Sequence, residues 1–90
     1  MVITRREVSQ QLLAYLNREL SLAGLVDWAE NTFIDDMLEP EQDIDMLNDI
    51  LSYLAAADTA QFPLTWEICR EFLERLGVLV KVIPVSNKAA

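Results

Sequence analysis

Apolar residues recur along this chain at steps of three and four in four separate stretches, the spacing that lines side chains along one side of an α-helix. The central stretch is Ser21 to Met37. There Leu22, Leu25, Val26, Ala29, Phe33 and Met37 share one helical face, while Asp27, Glu30, Asn31 and Asp35 take the other. Trp28 falls on the border between the two. The pattern predicts a helix over about 21–36, started by Ser21 as an N-cap. Its end is set near Asp36, because continued helically that carboxylate would enter the apolar arc and lose its hydration without a partner.

The preceding stretch predicts a helix over about 4–18. Thr4 and Glu7 form a capping-box pair, and Ile3 and Val8 have the spacing of the accompanying hydrophobic staple. Val8, Leu12, Tyr15 and Leu16 form its inner stripe, with Leu13 at the edge. The turn left to Glu19 and Leu20 is short, so the first two helices should pack side by side and roughly antiparallel.

Glu39-Pro40 breaks the pattern, and Pro40 suits the first position of a third helix over about 40–57. Ile44, Leu47, Ile50, Leu51 and Leu54 make its core stripe, with Asp45, Asn48, Asp49 and Ser52 on the wet side. After a linker containing Phe62-Pro63, Thr65 caps a fourth helix over about 65–76, stopped by Gly77. Ile68, Cys69, Phe72, Leu73 and Leu76 point inward from it. Val78 to Val85 is rich in β-branched residues and lacks a helical stripe, which predicts a strand over about 78–83. Such a strand needs a partner: Met1 to Ile3, Ala60 to Leu64, or the same strand of a second copy, through Val78, Val80 and Val82. The expected fold is therefore mainly α: a four-helix, bundle-like single domain over 1–85 with one short C-terminal strand and a mobile tail at 86–90.

Composition narrows the functional classes. The chain has 90 residues and is 52% hydrophobic, too apolar for disorder and large enough for one small core. No apolar run approaches the roughly 20 residues of a membrane span. A lone cysteine and no secretory signal suggest a cytoplasmic protein. The net charge of −8 is gathered in the middle of the chain. Between residues 21 and 60 stand Asp27, Glu30, Asp35, Asp36, Glu39, Glu41, Asp43, Asp45, Asp49 and Asp58, without one Lys or Arg. That argues against nucleic acid or an anionic membrane as partner, since both require clustered bases.

Little in the sequence points to catalysis. Without histidine there is no Ser–His or Cys–His pair and no histidine metal site. Cys69 reads as a small buried hydrophobe. Gly24 and Gly77 make no phosphate loop. The acids around Pro40 lack the alternation and central glycine of a calcium loop. The chain thus reads as a non-enzyme without cofactor or metal. Its acids either solvate a small apolar protein or steer a basic protein partner. On the second reading the partner-binding residues are Asp27, Trp28, Glu30, Asp35, Asp36, Glu39, Glu41, Asp45 and Asp49, provided that arginines from the ends of the chain do not neutralise them. Trp28, bordering the acidic face, is the better aromatic contact candidate although core or rim packing is the first expectation for it, and Trp66 is expected to cover the end of the core.

Tyr15-Leu16-Asn17, Ser21-Leu22, Leu25-Val26-Asp27-Trp28 and Leu64-Thr65-Trp66 resemble a small bacterial family of helical proteins of unassigned function. Ala23-Gly24 stands where such a protein would carry helix-favouring acids. More faintly, the size, the Ser-Leu start of the second helix and the acids after it are similar to colicin-D-type immunity proteins. That resemblance implies a short acidic helical bundle that covers the basic active site of a toxic RNase. The leading expectation is accordingly a small acidic protein-binding module, immunity-protein- or antitoxin-like. The alternative is a homodimeric structural or scaffolding protein whose C-terminal strands pair.

Overall fold

The computed structural model describes residues 2–35 and 37–80, and the side chains of all of these but 33–35. Within them the chain is mainly helical. Strand β1 (Val2–Ile3) leads into α1 (Arg5–Leu16) and α2 (Leu22–Asp35). Strand β2 (Met37–Leu38) and a 3-10 turn (Glu41–Asp43) connect to α3 (Ile44–Ala55), and α4 is Trp66–Arg75. The most extensive helix contact is between α2 and α3, while α1 touches α2, α3 and α4.

Local chemistry accounts for most of the helix ends. At Thr4 the backbone N–H donates to Glu7 Oε1 at 3.0 Å, and Thr4 Oγ1 accepts from the Arg6 N–H, so both halves of the cap are occupied. Ile3 and Val8 are both buried, as a staple requires. Ser21 Oγ accepts from the Gly24 N–H at 3.0 Å and starts α2. A Cβ on Gly24 would come within 2.8 Å of Leu20 Cδ1, so glycine lets Leu20 fold back over this turn and reach the core. Thr65 Oγ1 caps α4 through the Ile68 N–H.

Both α1 and α4 close with a left-handed residue. Gly77, at φ +87°, donates to Glu74 O, and Val78 donates to Leu73 O at 2.8 Å, the paired bonds of a Schellman motif. Arg18 takes the same part after α1 at φ 63°, with the Arg18 N–H on Tyr15 O and the Glu19 N–H on Ala14 O. The helix therefore ends at Leu16 and not near residue 18, because a left-handed residue cannot extend it.

Three further expectations change. Met37 is not on the helical stripe of α2; it lies in β2 and is 68% exposed. Pro40 precedes a 3-10 turn, and α3 proper starts four residues later at Ile44. The partner of the N-terminal segment is β2, in a parallel ladder pairing Val2 with Met37 and Ile3 with Leu38, extended by the Glu39 N–H on Ile3 O. Residues 78–80 lie in no ladder among the described residues, since the Val78 N–H is already used to close α4. Val82 and the rest of the predicted strand and tail lie outside the described residues.

The core is one cluster drawn from every helix. Val8 and Leu12 of α1 meet Leu25 and Ala29 of α2, Leu47, Ile50, Leu51 and Leu54 of α3, and Cys69, Phe72, Leu73 and Leu76 around α4. Ile3 joins it from β1, and the half-buried Val78 and Val80 pack on its margin. Tyr53 reaches outward from this core. Its hydroxyl donates to Pro63 O at 2.6 Å, and its ring meets Phe62 and Phe72 edge-on at 5.3 Å each. The long connection from α3 to α4 is thereby fastened to α3.

Candidate functional site

Helical phase decides which acids face water. On α2 the inward positions Leu25, Val26, Ala29 and Thr32 leave Asp27 and Glu30 exposed. On α3 the inward set Leu47, Ile50, Leu51 and Leu54 leaves Asp45 and Asp49 exposed. Between the helices Glu39 and Glu41 are also exposed. Asp35 closes α2, its side chain being among those not described, and Asp36 lies outside the described residues.

Two acids of the middle segment are met by arginines from the ends of the chain. Asp43 is not a surface acid at all. Its side chain is only 7% exposed and accepts two hydrogen bonds from Arg5, Nε to Oδ2 at 2.8 Å and Nη2 to Oδ1 at 2.7 Å. Arg5's hydrogen bonds hold the Asp43 carboxyl below its ordinary value of 3.8, outweighing the opposing effect of burial. Asp49 faces Arg75 Nη2 at 3.5 Å, and both side chains are exposed, so this pairing is weak. The remaining exposed set, Asp27, Glu30, Glu39, Glu41 and Asp45, makes no ion pair among the described residues.

The two tryptophans differ in exposure. Trp28 is half-buried and packs against the core, where its large apolar ring fills the side of α2. Trp66, the first residue of α4, is 40% exposed, and Phe62 is 39% exposed. Helical phase could not have indicated this for Trp66, which stands three positions before Cys69 and seven before Leu73 and so in line with the inward set. Leu79 is 92% exposed, between the half-buried Val78 and Val80.

The chemistry available is that of a surface. Among the described residues no three Cys, Asp or Glu side chains are grouped as metal ligands would be. The thiol of Cys69 is wholly buried, and that burial pushes its pKa up to about 11, far from a nucleophile's range. An open depression of about 460 Å³ lies at the α1–α2 turn, lined by Tyr15, Leu16, Arg18, Glu19, Leu20 and Ser21, and none of Asp27, Glu30, Glu39, Glu41 and Asp45 lines it. No helix among the described residues is long and apolar enough to cross a membrane. No protein-family model, curated protein or solved structure matches this chain.

Proposed function

We propose that the chain is a small non-enzymatic protein-binding module, immunity-protein- or antitoxin-like, that offers an acidic surface from α2, α3 and their connector to a basic protein partner in the bacterial cytoplasm. One observation carries the reading: Asp27, Glu30, Glu39, Glu41 and Asp45 are exposed within a segment that holds no Lys or Arg. A solvating surface would normally intersperse Lys with Glu for local support. Uncompensated acids raise the encounter rate with a basic protein and repel acidic ones. In the same reading the four helices form a bundle-like unit.

Pull-down followed by salt titration tests this. The partner is expected to be basic, with an affinity that falls steeply between low and physiological salt. A partner of neutral or acidic charge, or binding indifferent to salt, would sink the proposal.

A second reading, a homodimer paired through the segment that starts at Val78, is favoured by Leu79, whose exposed side chain sits in an otherwise apolar run. Sedimentation at micromolar concentration separates the two, because a clean monomer leaves this second reading without support.

A further inference from the structure

We propose that the depression at the α1–α2 turn is a binding site for a carboxylate carried on an apolar body, with Arg18 taking the carboxylate. The proposal goes beyond the acidic surface and does not rest on it. Tyr15, Leu16 and Leu20 supply the apolar part of the lining and are half-buried, while Arg18, Glu19 and Ser21 are exposed. The volume of about 460 Å³ lies within the range of about 300–1,000 Å³ usual for small-ligand clefts.

Two backbone features converge on this depression. A Cβ on Gly24 would stand 2.8 Å from Leu20 Cδ1, so glycine at that position is what lets Leu20 seat over the turn. Arg18 stands at φ 63°, a conformation that glycine adopts freely and arginine only under strain. Its backbone is fixed there by the Arg18 N–H on Tyr15 O at 3.1 Å and by the Glu19 and Leu20 N–H groups on Ala14 O at 2.8 and 3.2 Å. Nothing in the fold offsets the strain through the side chain, which makes no ion pair or hydrogen bond among the described residues. Strained residues of this kind gather at ligand clamps, where the side chain serves the ligand.

Charge and shape select the ligand. A guanidinium is a planar fork that meets a carboxylate at two points. Glu19 also lines the depression, so a doubly charged anion such as phosphate would be repelled where a single carboxylate turned toward Arg18 is not. The apolar body then covers Leu16, Leu20 and the Tyr15 ring. Because the depression is open, the ligand keeps part of its surface in water, and the affinity is modest, with Kd on the order of 1 mM.

The test titrates the full-length, ¹⁵N-labelled chain with hexanoate, acetate and hexylamine and reads amide shifts. Hexanoate should move the amides of residues 15–21 and bind about tenfold more tightly than acetate, because its methylenes are buried, and hexylamine should leave those amides unmoved. Arg18→Gly should weaken hexanoate by about tenfold or more while leaving the protein at least as stable, a divergence that a merely structural arginine would not give. Arg18→Lys should weaken it less, and Glu19→Gln should tighten it. A short peptide ending in leucine, compared with its C-terminal amide, separates the sources of the carboxylate: tighter binding than hexanoate assigns the site to a chain end, weaker binding to a free acid. Acetate binding as tightly as hexanoate, hexanoate binding unchanged in Arg18→Gly, or no shift with either hexanoate or the peptide would overturn the proposal.

Discussion

Arg5 and Asp43 lie 38 positions apart and meet in a two-point hydrogen-bonded ion pair, Nε and Nη2 of the guanidinium on the two carboxylate oxygens at 2.8 and 2.7 Å. Asp43 is nearly closed off from water, while the Arg5 side chain remains 47% exposed. The two partners therefore respond differently to loss. Removing Arg5 leaves a buried carboxylate uncompensated, whereas removing both leaves only apolar packing to repair. Arg5→Leu should lower Tm by more than the double change Arg5→Leu with Asp43→Leu. Strictly additive losses in that cycle would show that the pair is not coupled.

The same pair contributes to acid sensitivity. The Asp43 carboxyl is held below its ordinary 3.8, so its contribution is complete above that pH and is lost as pH falls through the lowered folded-state value. Asp43→Asn should be less stable than the parent near neutrality, and the difference should shrink in acid. Parallel stability curves for the two proteins down to pH 2 would contradict this.

Arg18 occupies a left-handed position that glycine ordinarily takes. A side chain costs about 1–2 kcal/mol there, against about 0.4–1 kcal/mol for the extra freedom glycine brings to the unfolded chain. Arg18→Gly should accordingly stabilise the protein by about 0.5–1 kcal/mol, measured by urea unfolding. A neutral or destabilising result would mean that the arginine side chain makes contacts worth as much as its strain.

Tyr53→Phe removes the hydroxyl from Pro63 O but keeps the ring against Phe62 and Phe72. The expected loss is about 1 kcal/mol, with faster proteolysis in the connection from α3 to α4. Unchanged stability and cleavage would show that the rings alone hold this connection.

Cys69 should resist thiol reagents at pH 8 in the folded protein and react at once in denaturant, because burial raises its pKa to about 11. The sign is that of a raised folded-state value: the thiol's contribution to stability is complete below its ordinary 9.0 and is lost as pH climbs toward 11. Rapid labelling of the native protein would place the thiol in a more open setting than α4 provides.

What was legible in the sequence was local. Thr4 with Glu7, Ser21, Thr65 and Gly77 each carry a helix-end signal, and each acts where it was read. The inward stripes of α3 and α4 were legible for the same reason, since a helical period repeats over many residues. Two-residue strands have no period, so β2 left no trace and β1 showed only as the short candidate partner at Met1 to Ile3, while Met37 fits the stripe of the helix before it. The exposed acids of α2 and α3 were readable from helical phase, but Asp43 was not, because its partner comes from another part of the chain. Trp66 falls in line with Cys69 and Leu73 by helical phase, so its exposure at the first residue of α4 was not legible in the sequence.

The ladder of β1 with β2 gives the opening residues of the chain a task far along it. Val2 and Ile3 hold Met37, Leu38 and Glu39 by backbone bonds, and Arg5 fastens Asp43 just beyond. Trimming the chain to Thr4 would thus be felt less as a frayed end than as a loosened joint between α2 and α3, and a bulky fusion placed directly before Val2 would press on the same hinge.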